Sequence, residues 1–254
     1  MPFTPAHAVV CLPFVKRMRA ISVFGLIIGS MAPDFEYFIN FKPTSMGGHS
    51  ILGMFLLNLP LCILFAVVYM NILEDGLIQL LPSFLAKKWP RFGRNVKTYA
   101  IAEWLNFVFW TMVGMLTHLG WDGFTHSSGV FVSYLPVLRT QVDIGTIQVP
   151  VFKLIQHVST GVGLLVMFIY LLLRPKRMRM PQDCCKKLHL RLVFFGIIIT
   201  IALIRRLIFG APASLQNYGE WIVSLMTYSF ISWSILSVII KRNEHQAIQE
   251  FLTS

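Results

Sequence analysis

The sequence predicts an all-α integral membrane protein: a polytopic helical bundle with five firm spans plus a broken N-terminal helical hairpin. Three observations carry this. The 254 residues are 56% hydrophobic and 13% charged, where a soluble domain carries about 25% charged residues. Apolar runs near the length of a membrane span recur along the chain, with a mean hydropathy of +0.67. Basic residues gather in alternate loops. Together these exclude a disordered chain, a fibrous protein and an ordinary cytosolic enzyme. The length suits one bundle, so residues 1–254 are expected to form a single transmembrane helical domain.

The elements follow in order. Residues 4–15 are apolar but too short to span alone. The run 20–41 is long enough, yet Pro33 and Asp34 interrupt it. Clear spans are read at 50–73, 99–119, 151–173, 192–209 and 221–240. Each comes close to crossing ~30 Å of hydrocarbon at ~1.5 Å per residue. The fourth is weakened by Arg205 and Arg206, read as snorkelling to headgroups in preference to holding a phosphate. Trp89, Trp104, Trp121 and Trp221 fall near the predicted interfaces, as an aromatic belt would. The N-terminal stretch has its basic cluster after its apolar part and no small-residue cleavage site. It is therefore read as mature chain rather than a signal peptide.

Orientation comes from the short loops. Lys16, Arg17 and Arg19 form one cluster, and Lys87, Lys88, Arg91, Arg94 and Lys97 a second. Arg174, Lys176, Arg177, Arg179, Lys186, Lys187 and Arg191 form a third, and Lys241 and Arg242 end the last span. These hold 17 of the 22 basic residues, and the spans place them all on one side. Lys and Arg mark the cytoplasmic side. This accounts for most of the net charge of +11 without nucleic acid, and the basic loops lack aromatic interleaving beyond Trp89 and Phe92. Four cysteines (Cys11, Cys62, Cys184 and Cys185) form no CxxC and are read as free thiols.

The chemistry lies in the histidines. His189 and His245 sit among cytoplasmic charges and are read as solvated. His49 opens a span. His118 and His126 flank Asp122 in THLGWDGFTH. His157 lies near the start of the next span, and Asp34 follows Pro33. By the topology above, these approach one depth on the extracytoplasmic side. His118, Asp122 and His126 stand at i, i+4 and i+8, so the first two project side by side from a helix. Imidazole and carboxylate together suit zinc, manganese or iron. Ionisable groups in a span usually face the bundle interior and share a partner. A metal ion is one such partner and a proton relay another. Glu36, close after Asp34, is expected to support the cluster, while Glu103 lies far from it by depth.

MPFTPAH, GSMAPDFEYF, HSILG at His49 and THLGWDGFTH resemble the bacterial membrane family called domain of unknown function 4184, over nearly the whole chain. More distantly, an early His, a PD, an HS and a late HxxxD are similar to inner-membrane proteins labelled metal-dependent hydrolases of the YdjM type. That resemblance implies His7, Asp34, His49, His118 and Asp122 as ligands. It adds His7, which requires the first segment to rise into the bundle rather than lie on the surface.

The leading expectation is a multi-pass inner (plasma) membrane hydrolase using a divalent metal, zinc first, with manganese or iron as alternatives. His49, His118 and Asp122 are expected as ligands, and Asp34 as ligand or general base. His7, His126 and His157 are expected as ligands or proton shuttles, with Asp34 and His126 the catalytic candidates. Membrane lipids and a small-molecule or lipid substrate, such as a phosphoester, are the expected partners, with no nucleic acid. The oligomeric state stays open. Two rival readings are an ion- or proton-coupled transporter and a non-catalytic membrane protein with a structural metal site.

Overall fold

A computed structural model of the protein describes residues 3–44, 47–92, 99–176, 184–209 and 218–253. Arg94, Lys97, Arg177 and Arg179 of the basic clusters lie outside these residues. So do the side chains of Cys184, Cys185, Lys186, Lys187 and His245.

The helices are α1 (Ala20–Gly29), α2 (Phe35–Asn40), α3 (Ile51–Leu80), α4 (Ser83–Ala86), α5 (Ile101–Thr125), α6 (Val130–Tyr134), α7 (Val151–Leu173), α8 (Cys184–Phe209) and α9 (Tyr218–Thr253). Among the described residues four helices are long and apolar enough to cross a membrane: α3, α7, the stretch Leu188–Ile208 of α8 and the stretch Gly219–Asn243 of α9. Their apolar side chains turn outward. Only 11% of the apolar window in α7 and 6% of that in α8 is buried. Such a surface would aggregate in water and is at home in hydrocarbon. The chain is a helical membrane protein.

The expected span at 99–119 corresponds to α5, a helix of 25 residues. Glu103, Asn106, Thr111, Thr117, His118 and Asp122 lower its apolarity, and it is not among the four. Residues 120–150, expected as a loop, carry α6 and a two-stranded antiparallel hairpin. In it β1 (Gln141–Ile144) pairs with β2 (Ile147–Pro150), turning at Gly145 with φ +62°.

The packing divides the chain into two compact units. The first comprises Met1–Glu36, Ser45–Leu64 and Tyr99–Tyr170. At its centre α1 runs parallel to α5. Arg19, before α1, meets Glu103 at 2.9 Å, and Ser30, after α1, meets His118. Glycines let the two backbones touch, as membrane helix pairs commonly require. A Cβ on Gly114 would stand 2.6 Å from Leu26 O, and one on Gly29 would strike Thr111 O. The N-terminal segment forms a 3₁₀ helix, Thr4–Cys11, that rises against this pair. His7 is buried beside His118, and Phe14 packs on Trp110 at 5.8 Å. The first segment therefore enters the unit instead of lying on its surface.

The second unit comprises Tyr37–Thr44, Phe65–Thr98 and Leu171–Ser254. Trp233 donates its indole N–H to Leu73 O at 3.0 Å, and Ser232 donates to Phe194 O at 2.8 Å. Arg191 donates to both Leu80 O and Leu81 O at 3.0 Å, which satisfies carbonyls at the end of α3. Arg205, expected to snorkel, is instead paired with Glu220 at 3.2 Å and lies over the Phe41 ring. Cys11 and Cys62 are buried, and neither forms a disulfide among the described residues.

Candidate metal centre

Each side chain of the cluster is placed by a local feature of the first unit. α1 stops where Ser30 and Met31 lead into Pro33, whose ring lacks an N–H and suits the start of a new turn. The 3₁₀ turn Ala32–Asp34 follows, and Asp34 is 4% exposed. His49 sits on a tight loop. Gly47 has φ +112°, a conformation that favours glycine. A Cβ on Gly48 would lie 3.0 Å from Pro33 O and 3.1 Å from the Glu36 carboxyl. Asn58, at the π-turn Met54–Asn58 in α3, donates to Gly48 O at 2.7 Å and ties this loop down. His118 and Asp122 project one turn apart from α5, with Nε2 to Oδ2 at 3.2 Å. His126 lies just past the end of α5.

Four donor atoms converge. His49 Nε2 lies 3.3 Å from Asp34 Oδ1 and 3.8 Å from Asp122 Oδ2. His118 Nε2 lies 3.6 Å from Asp34 Oδ1 and 3.2 Å from Asp122 Oδ2. Metal bonds of 2.0–2.2 Å at tetrahedral angles would set ligand atoms about 3.3–3.6 Å apart, and these four nitrogen-to-oxygen separations bracket that range. His7, His118 and Asp122 offer ligand atoms within 4.8 Å of one another, as do Asp34, His49 and His118. These residues could hold a metal ion.

The hydrogen bonds orient each ligand. A carbonyl only accepts, so His118 donates Nδ1–H to Ser30 O at 2.8 Å. In the neutral ring Nε2 then carries the lone pair. That atom is buried and has no hydrogen-bond partner among the described residues. An orphaned buried acceptor is rare and calls for an explanation. His49 likewise donates Nδ1–H to Glu36 Oε1 at 3.2 Å, which turns Nε2 toward Asp34. The other Glu36 oxygen accepts the Gly48 N–H at 3.1 Å. A carboxylate behind an imidazole fixes the ring and raises its basicity as a ligand. Burial opposes charging His49, but the bond to Asp34, its charge and Glu36 outweigh burial. Its pKa is raised above 6.5. Thr4 donates to Asp34 Oδ2 at 2.7 Å, leaving Oδ1 for the two histidines.

His7 stacks on His118 with ring centroids 3.9 Å apart. Its Nε2 stands 3.7 Å from Asp122 Oδ1. His126 faces the same oxygen at 3.5 Å through Nδ1, while Gln156 donates its amide to His126 Nε2 at 3.2 Å. Burial first of all holds the His126 pKa below 6.5, which suits a neutral ring with its proton on Nδ1. His126 thus borders Asp122 rather than the four donors.

The structure brings together His7, Asp34, His49, His118 and Asp122, with His126 against them. It does not bring in His157. That side chain is exposed on α7, and its neighbour Gln156 takes the inward position. One residue turns a helix by about 100°, so both cannot point inward. Thr4, Asn58 and Gln156 were not among the expected site residues. Thr4 stood in plain view within the TPAH motif, and Asn58 is a polar side chain inside an apolar run.

No curated protein and no solved structure matches the chain. A family model described as domain of unknown function (DUF4184) matches residues 1–242. The order of TPAH, PDFEYF, HS and HLGWDGFTH, whose His and Asp residues meet in the geometry above, lies inside that match, and the chain belongs to this family.

Proposed function

We propose that the chain is a metal-dependent hydrolase of the inner (plasma) membrane, its centre toward the extracytoplasmic side and its substrate an ester or phosphoester. One observation carries the reading. The buried Nε2 of His118 has no hydrogen-bond partner among the described residues, and it faces carboxylate oxygens at 3.2 and 3.6 Å. A lone pair held so is suited to a cation. The loops flanking the cluster are poor in Lys and Arg, which supports the extracytoplasmic placement. The choice of hydrolysis rests on the order of an early His, a PD, an HS and a late HxxxD, the motif pattern read in the sequence as resembling YdjM-type hydrolases.

Imidazole and carboxylate donors suit zinc first, with manganese or iron as alternatives. When bound, such an ion acts as a Lewis acid toward an acyl or phosphoryl oxygen and makes water nucleophilic near neutral pH. His49, His118, Asp34 and Asp122 serve as its ligands. Asp34 is a ligand rather than a base, because Thr4 occupies its second oxygen. In hydrolysis the water oxygen bonds to the acyl carbon or phosphorus, the bond to the alcohol oxygen breaks, and the alcohol leaves with a proton. His7 and His126 flank Asp122 Oδ1 and are placed to carry that proton. His126, with its side chain 42% exposed, connects it to solvent.

Elemental analysis of the purified protein, beside a panel of lipid esters and phosphoesters, tests the reading. Bound metal and turnover, both lost in Asp122→Asn, are expected. Full metal occupancy in that variant refutes the ligand set. Metal with no turnover on the panel would make the centre a structural clip and overturn the hydrolase.

A further inference from the structure

A cleft of about 370 Å³ adjoins the cluster within the first unit. Val9 and Val10 of the N-terminal 3₁₀ helix, Trp121 of α5, and Val162 and Val166 of α7 line it together with His7. Two hydroxyls in its wall are directed to backbone: Thr117 donates to Gly114 O at 2.7 Å and Ser159 to Gln156 O at 3.2 Å. The Trp121 indole N–H donates in turn to Ser159 Oγ at 3.3 Å. A hydrophilic ligand would find few partners there, whereas a hydrocarbon chain would meet apolar wall.

The cleft is continuous with the lipid-facing surface. Val162 and Val166 are 54% and 41% exposed, and their neighbours Val158 and Leu165 are exposed as well. All four lie on α7, a helix apolar enough to cross a membrane. At Gly163 the 3₁₀ helix comes close to α7, and a Cβ there would lie 3.2 Å from Ala6 O. His7 belongs to both places: it lines the cleft, and its ring stacks on His118.

We propose that this cleft holds one hydrocarbon chain of a membrane lipid, entering from the lipid-facing side of α7 and bringing the lipid's ester end to His7. That the ester is then hydrolysed rests on the function proposed above; that the chain lodges in the cleft does not. Each methylene buried from water is worth about a fourfold change in affinity. From the bilayer that gain is smaller, so the wall's fit to the chain has to supply selectivity.

The test uses the full chain in phosphatidylcholine nanodiscs containing a phosphatidylcholine with a diazirine at the end of one acyl chain. After irradiation, adducts are mapped by mass spectrometry. Val9 and Val10 should be labelled along with the exposed Val158 and Leu165. Val166→Trp fills the cleft and should lower labelling at Val9 and Val10 several-fold while leaving Val158 and Leu165 unchanged. Val10→Phe, which fills it from the other wall, should do the same at Val9 and covers the case in which the first variant fails to fold. Absent labelling at Val9 and Val10, or labelling there that neither variant alters, overturns the proposal. Asp122→Asn separates the two readings. Cleft labelling that survives loss of the metal upholds the cleft alone, and metal bound beside an unlabelled cleft sinks the cleft alone.

Discussion

His118 Nδ1 lies 2.8 Å from the carbonyl oxygen of Ser30, a residue 88 positions earlier in the chain. That single bond sets the tautomer of the ring and points its other nitrogen at two carboxylates. Replacing His118 by Ala should take bound metal in the purified protein from about one ion per chain to background, read by elemental analysis. Retained metal would mean the ring is structural.

Glu36 holds His49 through a 3.2 Å hydrogen bond. Glu36→Gln keeps a hydrogen-bond acceptor but removes the charge. Losing such a supporting carboxylate typically weakens metal affinity by about 10–100-fold. Competition with a chelator should show a shift of that size, and an unchanged affinity would deny Glu36 its part in orienting His49.

Protons compete with the metal at His49. Its pKa in the metal-free chain is raised above 6.5, so the ring stays charged to higher pH than a free histidine. Apparent metal affinity should therefore climb with pH, by about tenfold per unit below that raised value for one proton displaced. In Glu36→Gln the bend should move to lower pH. The same raised value means that His49 stabilises the metal-free fold below 6.5, and that this contribution fades as pH passes through the raised value. Metal affinity titrated from pH 5 upward checks the first sign, and the thermal midpoint of the metal-free protein over the same range checks the second.

The contact of α1 with α5 leaves no room for a side chain at Gly114. A Cβ would stand 2.6 Å from Leu26 O and from Ser30 N. Gly114→Val should cost about 1–3 kcal/mol or more by overpacking. That lowers the thermal midpoint by roughly 2–4 °C for each kcal/mol in a chain of this size. Metal binding should weaken with it, because Ser30 O moves relative to His118.

His157→Ala should change neither metal content nor thermal stability beyond about 0.5 kcal/mol, as is usual for an exposed position. Gln156→Ala removes the amide that His126 accepts, and is expected to lower turnover while leaving metal bound. Metal loss in His157→Ala would reverse the assignment of these two neighbours.

Much of the cluster was legible because its residues are costly where they stand. A carboxylate after Pro33 and a histidine four residues before Asp122, both at the ends of apolar runs, need a shared partner whatever the fold. His157 misled for a physical reason. Lys153, Gln156, His157 and Thr160 stand at i, i+3, i+4 and i+7 and form one polar stripe on α7, so the pattern marks a face but does not choose between the neighbours Gln156 and His157. The β-hairpin did leave a sign, since Gly145 stands between Ile144 and Ile147 with Val142 and Val149 beyond. Alternating β-branched residues about a glycine are a strand–turn–strand signature. The roles of Thr4 and Ser30 depend on where the N-terminal segment turns back, which no local pattern records.

The glycine-lined seam between α1 and α5 also sets an order of events at the ribosome. His7, Asp34 and His49 emerge early, but His118 and Asp122 arrive only when the later helix has been made and has slid into register beside the first. A chain that ends before that helix holds only part of the donor set, so the cluster is complete only once α5 lies beside α1.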